Sequence, residues 1–286
     1  MTTTHETATA ADAGKSASAA FRATRSGTGD GDTTHVSAAR VDAVVTAVLS
    51  GVHAAIREHD VSYPEFQAAK QWLMDVGETG EWPLFLDVFV EHVVEEVAAR
   101  VQQGTKGSIL GPYYLPGQVR LPSVADLPRR AAEQGTPLVF AGQVRDTEGK
   151  PVAGAELDLW QADSEGYYSG FAPGIPDGNL RGVIVTDGDG RFEVTTIQPA
   201  PYQIPTDGPT GALIEAAGWH PWRPAHLHLL VRASGHRQIT TQLYFAGGEW
   251  LDSDIAEATK PELVLTPQEQ PDGRMRAEYD FVLERV

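Results

Sequence analysis

The spacing of apolar positions changes twice along the chain. Through residue 36 the segment is Thr, Ala, Ser and Gly with almost no large apolar side chains. Such a segment buries too little surface to offset the entropy of ordering, which predicts a disordered tail over 1–36. Beyond it Val41, Val44, Val45, Val48, Leu49, Val52 and Ile56 recur three and four residues apart, the spacing of an amphipathic helix. A second helix is predicted at "SYPEF", with Ser62 as cap and Pro64 in the first turn. A third is predicted from Pro83 through "LFLDVFVEHVVEEVAARVQQ", ending before Gly104. Leu84, Phe85, Leu86, Val88, Phe89, Val90, Val93 and Val94 spread over more than one of its faces, so it calls for a second apolar partner such as another subunit.

From Gly104 onward Gly and Pro are frequent and apolar runs are short. "PLVFAGQV", "AELDLWQAD", "RGVIVTD", "GRFEVTTI", "AHLHLLVRA", "QITTQLYFA" and "EYDFVLERV" alternate, are rich in β-branched and aromatic residues, and are bounded by turns such as "TEGKP", "DGDG" and "ASGH". Strands in succession without an intervening helical pattern predict an antiparallel sandwich or barrel. The expected fold class is α+β in order along the chain, helices over 37–106 and a β-sandwich over 107–286.

Composition narrows the function. With 41% hydrophobic residues in 286 the chain supports a real core, and 39 acidic against 22 basic residues give a net charge of −17. That charge opposes binding to nucleic acid or anionic lipid. The N-terminus lacks the basic and apolar stretches of a signal peptide, and no window approaches the roughly 18 apolar residues of a spanning helix. A cytoplasmic protein without membrane or nucleic-acid partners is expected. Cysteine is absent, so any metal must use nitrogen and oxygen ligands.

Within "WHPWRPAHLHLLV" (219–231), His226 and His228 are two residues apart. On a strand both rings face one side of the sheet, as a metal site or as a pair of core histidines. Tyr167 and Tyr168 occupy a Gly-flanked turn in "EGYYSGF", and Tyr202 a Pro-rich loop in "QPAPYQIPTDGP". Two histidines with an oxygen donor suit a ferric site with phenolates, a ferrous site with a carboxylate, or zinc. The nearest acidic residues, Asp163, Glu165, Asp187 and Asp207, lie in turn-like stretches where solvated surface is expected.

"GSILGPYYLPG" (107–117), "ELDLWQADSEGYYSGF" (156–171), "NLRGVIVTDGDGRFEVTTIQPAPYQIPTDGPTG" (179–211), "HPWRPAHLHLLV" (220–231) and "TTQLYFAGGEWLDSD" (240–254) together resemble the intradiol ring-cleaving dioxygenases, catechol 1,2-dioxygenases of actinobacterial type in particular. "QWLMDVGETGEWPLFLDVFVEH" (71–92) is similar to that family's helical linker, and the resemblance spans roughly 37–286. It implies a non-haem Fe(III) held by Tyr168, Tyr202, His226 and His228, with Tyr168 preferred to Tyr167 because "GYYS" fits Gly-x-Tyr-Ser. It implies cleavage of catechol by dioxygen to cis,cis-muconate, with chlorocatechol or hydroxyquinol as alternatives and a non-catalytic β-sandwich binding module as the rival from another class. Tyr202 would take up a substrate proton, Arg223 would stabilise developing negative charge, and Gln242 would orient. The ring would pack against Leu84, Asp87, Ile109, Gly111, Pro112, Tyr113, Ile255 and Ala256. The helices of 37–106 would build a homodimer, with a lipid possible at its interface.

Overall fold

The structure is a computed structural model and describes residues 36–286; the 1–36 tail, apart from Val36, lies outside the described residues. The chain divides into two compact units, one ending at Gln67 and the other running Ala68–Val286. In the first unit, the helix Ala38–Glu58 begins where the Ser37 side chain accepts the Arg40 N–H at 3.2 Å. None of its residues is buried, and Val41, Val44, Val45, Val48, Leu49, Val52 and Ile56 all stand exposed. Contrary to the expectation above, it holds an 18-residue window of mean hydropathy 1.4, which by length and composition suffices to cross a membrane. The expectation weighed unbroken apolar runs, whereas this helix reaches its mean through many small apolar residues with its charges near the ends. The next helix, Tyr63–Thr79, opens with a reciprocal cap: Glu65 Oε2 accepts the Ser62 N–H at 2.7 Å and Ser62 Oγ accepts the Glu65 N–H at 3.4 Å.

The predicted third helix is two, Trp82–Phe89 and Glu91–Ala99, broken at Val90 with φ −130° and ψ −36°. The bend turns Glu91 onto a following loop, where its Oε1 accepts the Leu110 N–H at 2.9 Å and so offsets helical bonds lost at the break.

In chain order the described strands are β1 (Arg120–Leu121), β2 (Val124–Asp126), β3 (Pro137–Asp146), β4 (Glu156–Gln161), β5 (Arg181–Val185), β6 (Arg191–Ile197), β7 (Tyr202–Gln203), β8 (Trp222–Arg223), β9 (His226–Arg232), β10 (Ile239–Phe245), β11 (Val264–Leu265), β12 (Gln268–Glu269), β13 (Met275–Glu278) and β14 (Phe281–Leu283). One sheet runs β1-β5-β4-β9-β10-β11, the other β12-β13-β3-β6-β2 with β14 also on β3, and β7 pairs β8 apart from both. The long central pairs are antiparallel, as the alternation predicts, but β1 on β5, β11 on β10, β2 on β6 and both β13 and β14 on β3 are parallel. The parallel members are short segments brought in by long connections rather than hairpins, so their direction leaves no local pattern. Leu157, Leu159, Leu227, Leu229 and Val231 of the first sheet join Leu138, Phe140, Phe192 and Val194 of the second in one buried apolar cluster.

A helix the pattern did not suggest, Pro209–Ala217, interrupts the strands. Pro209 sits in its first turn and Gly218, at φ 68°, closes it as Trp219 N–H bonds to Ile214 O at 3.0 Å.

Candidate active site

Antiparallel register places partners on the same face. Trp160 of β4 lies opposite Arg181 of β5 and His228 of β9, and His228 lies opposite Gln242 of β10. His226 lies opposite Tyr244. These residues therefore share one face of the first sheet, while Leu157, Leu159, Leu227, Leu229 and Leu243, one step out of phase, fill the intersheet core.

Tyr168 reaches this face from the loop after β4. Asp163, expected at the solvated surface, is 1% exposed and folds that loop. Its Oδ1 accepts the N–H groups of Glu165 (2.9 Å) and Tyr167 (3.0 Å), and its Oδ2 pairs with Arg130 at 2.9 Å. Gly166 has φ 89°, and a Cβ there would stand 2.9 Å from Pro201 O and 3.0 Å from Tyr202 Cβ. Glycine thus lets the Tyr168 turn lie directly on the Tyr202 segment. Tyr202 is fixed by β7, where it pairs with Arg223 of β8. Tyr167 points outward at 55% exposure, whereas Tyr168 is buried.

The four rings close a circuit: Tyr168–Tyr202 5.3 Å between centroids, Tyr202–His226 5.7 Å, His226–His228 4.5 Å and His228–Tyr168 5.9 Å. His226 Nδ1 donates to Pro224 O at 2.7 Å, which leaves its Nε2 lone pair 3.0 Å from His228 Nε2. Trp160 stacks on His228 at 4.7 Å and 9°. Burial first, then the Arg223 charge, brings His226 down to about 3, and burial with His226 and Arg223 takes His228 well below its ordinary value. Both imidazoles are neutral at pH 7 and present lone pairs. Burial raises both phenols, Tyr168 well above its ordinary value with Tyr202 adding to the effect, while Arg223 opposes the rise at Tyr202. Tyr168 Oη is buried without a hydrogen-bond partner. Neutral imidazoles beside buried phenols that need a cation to ionise fit a hard, highly charged metal ion. Among the described residues no group of three or more His, Asp or Glu side chains is placed to hold a metal.

Arg223, 2% exposed, stands beside this circuit as the β8 partner of Tyr202. Its Nε donates to Asp254 Oδ1 at 2.9 Å, and its Nη2 to Asp254 Oδ2 at 2.8 Å and Gln242 Oε1 at 2.9 Å. Burial works against its charge, but Asp254, Tyr202 and Tyr244 together outweigh burial and hold the guanidinium well above its ordinary value. Gln242 donates to Ile109 O at 2.8 Å and its Oε1 accepts the Tyr244 hydroxyl at 2.7 Å.

A second apolar cluster surrounds the rings. Ile109, Tyr168, Tyr202 and Ala256 are buried in it, with Leu84, Tyr113 and Ile255 packed against it. Tyr113 stacks on Tyr168 at 4.4 Å and 13°. Gly111, at φ 71°, would carry a Cβ 3.5 Å from His228 Cε1. Pro112 joins Gly111 to Tyr113 in a turn. Asp87 is half-buried on the helix of Leu84, and its charge adds to the burial that raises Glu91. A cavity of about 690 Å³ lies against Phe89, Trp219, Asp254 and Ile255, and one of about 570 Å³ against Tyr113, Tyr168, Tyr202 and Trp222. Sequence reasoning missed Asp163, Asp254, Trp160, Arg181 and Tyr244. Strand parity with the histidines marks Trp160, Arg181 and Tyr244 once register is known; Asp254 carries no local signal.

Residues 109–285 match the family described as "Dioxygenase", and residues 38–106 match "Catechol dioxygenase N terminus". The chain belongs to the intradiol ring-cleaving dioxygenase family. This intradiol dioxygenase is 45% identical over 213 residues to a chlorocatechol 1,2-dioxygenase of Rhodococcus opacus, covering 73% of this chain and 83% of the relative. It is 34% identical over 244 residues to a catechol 1,2-dioxygenase of Acinetobacter baylyi, covering 82% and 78%. The solved 3-chlorocatechol 1,2-dioxygenase of Rhodococcus opacus superposes with a TM-score of 0.84 at 48% identity, covering 87% of this dioxygenase and 100% of that chain.

Proposed function

We propose that this dioxygenase opens catechol and ring-chlorinated catechols between the hydroxyl-bearing carbons, giving cis,cis-muconates, at Fe(III) held by Tyr168, Tyr202, His226 and His228. The observation that carries the reading is the closed circuit of two neutral imidazoles and two buried phenols. When bound there, ferric iron supplies the charge that ionises the phenols and the oxidising power that makes the ring reactive toward dioxygen. Tyr202, next to Arg223, would take up one of the two protons of the incoming diol. The fixed Arg223 charge stabilises the negative charge that grows on the opening ring, and Gln242 orients through its bonds to Arg223 and Ile109. Leu84, Asp87, Ile109, Gly111, Pro112, Tyr113, Ile255 and Ala256 bound the ring and exclude water. Gly111 and Ala256 put little side-chain bulk beside the ring, and the similarity to chlorocatechol 1,2-dioxygenases supports that choice.

The reading extends to a cytoplasmic homodimer built on the N-terminal helices, with a lipid at the interface. The exposed valines of Ala38–Glu58 support it, and sedimentation with lipid extraction tests it. For the chemistry, the iron-loaded protein is expected to be wine-red, to change colour with catechol in the absence of oxygen, and to consume oxygen with catechol and 4-chlorocatechol. Colourless iron-loaded protein would sink the ligand set; preference for hydroxyquinol would sink the substrate.

A further inference from the structure

The carboxylate of Asp254 is shared evenly between two tasks. Each of its oxygens accepts one bond from Arg223 and one from the main chain: Oδ1 takes Arg223 Nε at 2.9 Å and Ala256 N–H at 3.1 Å, and Oδ2 takes Arg223 Nη2 at 2.8 Å and Ala258 N–H at 3.3 Å. The Asp254 side chain is fully buried and that of Arg223 nearly so, which makes this pair dry and geometrically fixed. The segment that Asp254 folds around itself is the pocket wall: Ala256 and Ala258 are buried in the cluster around the rings, and Ile255 packs against it, its N–H bonded to Trp222 O at 3.2 Å.

We propose that Asp254 is a positioning residue: one carboxylate fixes both the Arg223 guanidinium and the Ile255–Ala258 wall, so rate and ring-substituent selectivity are set together. This rests on the reading above that the ring lies between Arg223 and that wall. The bidentate grip occupies the Nε/Nη2 edge of the guanidinium, whose charge acts on the neighbouring Tyr202. An amide cannot replace it. Asparagine has one accepting oxygen, so two of the four bonds are lost and an N–H group is turned toward a cation.

The test compares Asp254→Asn with wild type, with rates taken per bound iron. Misplacing the guanidinium is expected to lower kcat about 100-fold, more than it changes KM. The ratio of kcat/KM for 4-chlorocatechol to that for catechol is expected to move roughly 10-fold as the wall loosens. In metal-free protein, amide hydrogen exchange at Ala256 and Ala258 should accelerate, a change independent of turnover. Asp254→Glu keeps the charge and displaces it by one methylene; it should also lose rate and shift the ratio, and it serves where Asp254→Asn fails to fold. A red variant of either kind with wild-type kcat and an unchanged ratio would overturn the proposal. So would a melting-temperature loss with neither kinetic change. Colourless wild-type protein would instead indict the iron reading, so the two failures are distinguishable.

Discussion

The two faces of the β5-β4-β9-β10 region differ in what burial is used for. Toward the second sheet, Leu157, Leu159, Leu227 and Leu229 are wholly buried in an apolar cluster. One residue out of phase, Trp160, His226, His228 and Gln242 are almost equally buried, yet they carry polar side-chain atoms, of which Trp160 Nε1 and His228 Nδ1 have no hydrogen-bond partner. Equal burial thus has opposite chemical meaning. On the first face it excludes water for stability, and on the second it strips water from groups that must act on something else.

Substitutions on the two faces should separate these uses. The largest effect is expected from His228→Ala, which should abolish the red band and lower turnover at least about 10²–10³-fold, the range for losing a group that stabilises transition-state charge. Visible spectra and oxygen uptake check this. Leu229→Ala, its neighbour on the other face, should destabilise the fold by about 2–5 kcal/mol while retaining colour and the preference between catechols, as read by denaturant melts and kinetics. If both substitutions change selectivity alike, the faces are not separate. Trp160→Leu removes the ring stacked on His228 and should speed iron loss to a chelator about 10-fold, as expected for a residue that orients a ligand. The smallest effect is expected at the rim, where Arg120 and Arg232 bond Glu156 and hold its carboxyl below its usual range despite some burial. A lowered folded pKa contributes stability above the unfolded value near 4.5 and loses it as pH falls through the folded one. Glu156→Gln should therefore cost roughly 0.5–1 kcal/mol at pH 7 and nothing in acid, measured by melts across pH.

Much of this division is legible in the chain. "AHLHLLVRA" shows the i, i+2 histidines directly, and the strand segments quoted from the sequence all contain strands in the structure. The reading fails where information is non-local. The break at Val90 serves a bond from Glu91 to Leu110, 19 residues away. Asp254 meets Arg223 across 31 residues of chain. The parallel strands β1, β2 and β11 are too short to show a period. The helix Pro209–Ala217 was within reach, since Pro209 and Gly218 mark its ends, but the surrounding prolines read as loop. Asp163 lies in a turn, where solvent exposure is the expectation, yet its carboxylate is the inside of that turn.

The bond from His226 to Pro224 O bears on how the proposed iron site would fill. A ring held by its own main chain, beside another clamped by a stacked indole, has lost its rotational freedom during folding, so an arriving ion has little left to order. If iron is held there as proposed, its capture and release would be matters of access and desolvation, and the emptied site would recharge without passing through the unfolded chain.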